Sequence, residues 1–233
     1  MPHPPARDRI MTPVYHYNFH RQLDKLFEKF LNLGTMVEDR VRKACESIKT
    51  GDMELIKFVA SSDYEIDEME IDIEEECLKI LALYQPVARD LRIIIAMIKI
   101  NNELERMGDY AVSIARRVKD LASAEITINY DPDYEEMSSA VLKMLKLALD
   151  AITYHDADMA HRVFVLDDNV DKLRNQHYER VIEEIQKQPT AARYLIDCYI
   201  LARHLERIAD RATNIAEEVM YVVEGEIVRG EFA

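Results

Sequence analysis

From about Phe19 onward, apolar positions recur every three or four residues along nearly the whole chain, which is the spacing of one face of an α-helix. Met97, Ile100, Leu104, Met107, Ala111, Ile114, Val118 and Leu121 form one such stripe. Cys198, Leu201, Leu205, Ile208, Ala212, Ile215, Val219 and Val222 form another. Turn residues cut the pattern into six long helices. They run from about Phe19 to Lys49, Asp52 to Tyr84, Val87 to Ser123, Tyr134 to Tyr154, Asp156 to Lys187 and Thr190 to Val223. The stops are Thr50-Gly51-Asp52, Gln85-Pro86 and an extended link, ITINYDPD.

The pattern occurs twice. NELERMGDYAVSIA, from Asn102, is answered by RHLERIADRATNIA, from Arg203. Leu104, Glu105, Arg106, Asp109, Ile114 and Ala115 recur as Leu205, Glu206, Arg207, Asp210, Ile215 and Ala216. Asp63, Ile66, Asp67 and Met69 match Asp167, Val170, Asp171 and Leu173 at a constant offset of 104. Val37, Val41, Ala44 and Ile48 match Val141, Leu145, Ala148 and Ile152. The expected fold is all-α: two tandem antiparallel three-helix bundles related by internal duplication. Residues 18–124 make the first bundle, 125–132 a linker and 133–233 the second. Residues 1–17 read as a flexible N-terminal tail; its start, MPHPPARDRIMTP, has four prolines and no apolar run of a signal peptide.

Composition narrows the function. The 233 residues include five Gly and no Trp, in keeping with helices throughout. A formal charge of −14 argues against nucleic acid and against direct adhesion to anionic lipid. It suits a protein that meets cations or basic partner surfaces. Cys45, Cys77 and Cys198 are far apart and sit in helical patterns, so they read as reduced core thiols of a cytoplasmic protein. No stretch approaches the roughly 20 apolar residues that cross a bilayer.

The chemistry lies in four acidic pairs. Glu105 with Asp109, Glu206 with Asp210, Asp63 with Asp67 and Asp167 with Asp171 are each four apart, so each pair shares a helix face. A single such pair among 44 acids is ordinarily a solvated face. The turns make the difference. Asp67 stands 18 residues before Gln85 and Glu105 stands 19 after Pro86; Asp171 and Glu206 each stand 17 from the Gln188-Pro189 turn. At about 1.5 Å per residue, each bundle brings four carboxylates to one level on adjacent helices. Such a group repels itself unless protonated, paired with arginine or bound to metal. Arg106 and Arg207 sit one position, about 100°, around the helix and are expected to point elsewhere. Gly108 and Ala209 leave room beside the acids. Oxygen-only donors suit Mg²⁺, Ca²⁺, Mn²⁺ or Fe³⁺, and four carboxylates can bridge more than one ion. Glu38, 12 residues before Thr50, falls near the level of Asp63 and is a possible extra donor; its counterpart is Leu142.

QPVARDLRIIIAMIKINNELERMGDYAVSIA, followed by LERIADRATNIAEEV, closely resembles the PhoU family of phosphate-uptake regulators, over nearly the whole chain from Phe19. The resemblance implies two three-helix bundles with multinuclear metal clusters, iron or zinc foremost, at Asp63, Asp67, Glu105 and Asp109, and at Asp167, Asp171, Glu206 and Asp210. It implies a cytoplasmic, non-enzymatic accessory protein of the phosphate-specific ABC transporter, peripheral to the inner membrane through its partners. It further implies a homodimer that represses the phosphate-starvation response through a sensor histidine kinase. The second copy departs at its turn, where QPTAARYL replaces QPVARDLR, so Asp90 has no partner and Arg193 stands in for Arg92. Two other readings compete: a carboxylate-bridged metalloenzyme (oxidase or phosphatase) and a metal-free helical scaffold. The first lacks the Glu-x-x-His pairs of di-iron bundles; Asp158-x-x-His161 is the nearest approach.

Overall fold

The computed structural model describes residues 13–61, 63–125, 128 and 130–225, and their side chains except those of 13–16 and 63. Among these residues the regular structure is helical throughout. The helices are α1 (Pro13–Thr50), α2 (Met53–Ser61), α3 (Asp63–Tyr84), α4 (Ala88–Ala122), α5 (Glu135–Tyr154), α6 (Ala157–Lys187) and α7 (Ala192–Glu224). A 3₁₀ turn, Pro189–Ala191, precedes α7.

Three boundaries differ from the periodicity. α1 begins at Pro13, inside the stretch expected as tail. A proline fits a first helical turn, where its missing N–H would have no intrahelical partner; residues 1–12 lie outside the described residues. The expected second helix arrives as two pieces, α2 and α3, with position 62 outside the described residues. At the end of α2 the Ser61 hydroxyl donates to the Phe58 carbonyl at 3.2 Å, the kind of bond by which serine competes with helical backbone pairing. In the expected linker, positions 126, 127 and 129 lie outside the described residues. Its Ile128 and Tyr130 pack on a small separate core of Val181, Ala191 and Leu195.

The two Gln-Pro turns are built differently. Gln85 and Ala88 adopt φ of 48° and 49°, left-handed values that reverse the chain between α3 and α4. Asp90 then lies in the first turn of α4, where a carboxylate favours the helix dipole. α7 has no acid in its first turn and is started by the 3₁₀ turn instead. The missing partner of Asp90 is thereby accounted for.

α1, α2, α3 and α4 pack together as the first half, and α5, α6 and α7 as the second. The halves join through α4 against α7 and α1 against α5. Both contacts are antiparallel. Lys99, early in α4, pairs with Glu218, late in α7, at 2.9 Å, while Arg117 pairs with Asp197 at 2.7 Å near the opposite ends. Between them Arg211 and Asn214 both donate to Glu103, at 3.0 and 3.2 Å. One continuous apolar core runs from Phe30 and Leu33 through Leu104 and Ile114 to Leu205 and Ile215. Cys45, Cys77 and Cys198 are buried free thiols within these helices, and burial pushes Cys45 up to about 12. Among the described residues no helix is long and apolar enough to cross a membrane.

Gly34 marks the closest approach of α1 to α5. A Cβ there would lie 2.9 Å from the Leu149 Cδ2. Gly34→Leu is therefore expected to overpack this seam and lower stability by about 1–3 kcal/mol, measured by urea unfolding.

Candidate functional site

In the first half, α3 presents Asp67 and α4 presents Glu105 and Asp109. Ile66, next to Asp67, is wholly buried against the place where a Cβ on Gly108 would be, 3.2 Å from such an atom. The small residue at 108 thus brings α3 and α4 close together, with Ile66 filling the gap and the acids emerging beside it. Glu105 feels the consequence. Burial first, then Asp109, Asp67 and Glu70, push its carboxyl up to about 7, against the opposing charge of Arg106.

Glu70 is a member that the acidic-pair pattern missed. It lies on α3 three residues after Asp67, and burial, Glu74 and Asp67 raise its pKa. Buried Asn101 of α4 holds it from across the helix pair, donating to the Glu70 backbone carbonyl at 2.8 Å and to its Oε1 at 3.3 Å. The side chain of Asp63 lies outside the described residues. Glu38 is half-buried on α1.

The second half repeats the placement of its acids and changes their company. α6 carries Asp167 and Asp171; α7 carries Glu206 and Asp210. Burial, then Asp210 and Asp171, push Asp167 up to about 6. Burial also raises Asp210 and Glu206. Arginines stand among them. Arg174 Nη2 lies 3.1 Å from Asp171 and 3.7 Å from Glu206, tying α6 to α7. Arg203 Nη1 donates to Glu206 Oε1 at 3.0 Å. Arg207, expected to point away, instead lies 3.6 Å from Asp210 and 4.0 Å from Glu206. Its long side chain reaches acids on its own helix, so the 100° step between Cα positions does not decide where the guanidinium ends. Glu206 is 6 % exposed, the most buried of the acids in these two groups among the described residues.

The missed signal was available in the duplication itself. The offset of 104 sets Arg174 against Glu70, and the offset of 101 sets Arg203 against Asn102. Both arginines also sit three residues from the acid they pair with. Two histidines take packing roles: His177 stacks on Tyr134 at 4.8 Å and His204 lies 6.1 Å from Tyr110.

An oxygen-only set of like charges around a desolvated glutamate is the donor chemistry that hard cations take. The first half fits that description. In the second, guanidinium groups stand among the oxygens. Among the described residues, no group of three or more His, Cys, Asp and Glu side chains is gathered to hold an ion as the side chains stand.

Fold and site together define a class: a duplicated helical-bundle protein with one carboxylate group on each half. A family model for the PhoU domain matches residues 30–118 and again 134–219. The phosphate-specific transport system accessory protein PhoU homolog 1 of Thermotoga maritima is 33 % identical over 221 residues, covering 93 % of this chain and 95 % of its own. The corresponding homolog of Pseudomonas aeruginosa is 36 % identical over 211 residues, covering 91 % and 87 %. The crystal structure of PhoU from Pseudomonas aeruginosa superposes with a TM-score of 0.84 at 35 % identity, over 89 % of this chain and all of that one. The phosphate transport system regulatory protein PhoU from Streptococcus pneumoniae gives 0.81 at 29 % identity, over 90 % and 99 %. The chain belongs to the PhoU family.

Proposed function

We propose that this protein is a non-enzymatic accessory protein of a phosphate-specific transport system, and that it holds the phosphate-starvation response off through a sensor histidine kinase when phosphate is plentiful. The observation that carries the first part is likeness over nearly full length, in both halves, to proteins named for that role. The kinase, homodimeric assembly and a cytoplasmic position reached through protein partners belong to the same reading and rest on the family resemblance. The net charge of −14 over the whole chain suits docking on basic surfaces of such partners.

Asp67, Glu70, Glu105 and Asp109, with Asp63, are the residues that would hold a multivalent cation in the first half. The ion would neutralise charges that otherwise repel, and fix α3 to α4. Asp167, Asp171, Glu206 and Asp210 are the corresponding acids of the second half.

In cells lacking the protein, phosphate-starvation genes are expected to be transcribed constitutively in phosphate-rich medium and to be silenced again by a plasmid copy. Reporter transcription is the measurement. Normal repression in the deleted strain would remove the regulatory reading.

A further inference from the structure

We infer that the two halves are unequal cation sites, and that in the second half the Arg174 guanidinium stands where a cation bridging Asp171 and Glu206 would sit. Metal loading is thereby confined to the first half. The inference rests on the cation reading of the first half given above.

The argument begins with the duplication. The position that carries Glu70 in the first half carries Arg174 in the second, a reversal of charge at that point of the repeat. Arg174 does there what a bridging ion does: a single nitrogen reaches a carboxylate on each of the two helices, at 3.1 Å on α6 and 3.7 Å on α7. Arg203, where the first half has Asn102, adds a second guanidinium at 3.0 Å from Glu206. Arg207 lies beside Glu206 and Asp210. Arg211 is turned away to Glu103, at 3.0 Å. Thus Asp171, Glu206 and Asp210 are met by Arg174, Arg203 and Arg207, while Asp167 faces Asp210 and Asp171. The matching positions of the first half hold Glu70, Asn102 and Arg106, with five acids counting Asp63.

Charge count then decides occupancy. Affinity of an oxygen site for a hard cation follows the number of charged ligands it offers. To enter between Asp171 and Glu206 an ion must expel Arg174 from two carboxylates, one of them buried. No such displacement is needed at Glu70, which is itself a donor.

Stoichiometry tests this directly. The full-length protein is loaded with Mn²⁺, freed of excess ion by gel filtration, and its metal counted by elemental analysis, with circular dichroism confirming the fold of each variant. The isosteric pair Glu105→Gln with Asp109→Asn is expected to lose nearly all bound Mn²⁺, while Asp167→Asn with Asp171→Asn keeps the wild-type amount. Arg174→Glu, which restores the residue of the first half, is expected to bind about twice the wild-type amount. Arg174→Met is the substitute should charge reversal prevent folding, and is also expected to gain metal. Loss of half the metal or more from the Asp167/Asp171 variant, or no gain on removing Arg174, would overturn the inequality and leave the first-half site standing. A wild-type chain that takes up no Mn²⁺, or a Glu105/Asp109 variant that keeps all of it, would overturn the cation reading itself and this inference with it.

Discussion

Leu104→Ala and Leu205→Ala are each expected to cost about 2–5 kcal/mol, and both should displace the same single unfolding transition. The two leucines occupy matching places in α4 and α7, and both are wholly buried. Each truncation removes apolar contact and leaves a cavity in a packed interior that relaxes only in part. For a chain of this length that corresponds to a fall in Tm on the order of 10 °C. The shared transition is the sharper expectation. Because α4 packs on α7 and a single apolar core runs through both halves, neither half can lose its interior without exposing its neighbour's. Calorimetry of the two variants checks this. A thermogram that splits into two peaks, with Leu104→Ala lowering one and Leu205→Ala the other, would show instead that the halves unfold independently.

That coupling was not legible in the sequence, although most of the fold was. Helical periodicity identifies which residues face inward, and the Gln-Pro turns give the height of each residue along its helix. Those two facts suffice to set Asp67 near Glu105. They say nothing about which helix a second face meets. Lys99, Glu103 and Arg117 lie off the apolar stripe of α4, yet they form the ion pairs to α7. Charged side chains with long apolar stems can line a helix contact and still bring their ends together, so polarity alone does not mark an exposed face.

The site shows the same division. Backbone spacing sets Asp67 near Glu105 and Asp167 near Asp210, whose charges act on one another, because rise per residue is nearly constant. It failed for Arg207, whose flexible side chain has several bonds between Cα and charge. It also passed over Glu70 and Arg174, because a search for Glu or Asp followed four residues later by Asp ignores the residue three positions on. Comparing the halves position by position, with attention to where the charge changes sign, recovers both.

Glu105→Gln should flatten the pH dependence of stability in metal-free protein, and leave the variant more stable than its parent at pH 8. The carboxyl of Glu105 is raised from its ordinary 4.5 to about 7, by burial first and then by Asp109, Asp67 and Glu70. A raised acid binds its proton more tightly folded than unfolded. Between about pH 4.5 and 7 the folded chain therefore keeps a proton that the unfolded chain has released, and raising the pH through this window removes stability. Above it the loss is complete; below it there is none. Glutamine has no proton to lose and carries no charge toward its acidic neighbours, so the variant and the parent should agree near pH 4.5 and diverge upward. Allowing for solvent screening of a half-exposed group, the gap at pH 8 is about 1 kcal/mol, or roughly 2–4 °C in Tm. Melting curves in chelator at pH 4.5, 6, 7 and 8 measure it. Adding Mn²⁺ to the parent should reverse the trend, because the ion needs the deprotonated carboxylate that the bare fold resists. Parallel curves for Glu105→Gln and parent across the whole range would mean that α3 and α4 do not press their charges together, and the cation site would lose its physical basis.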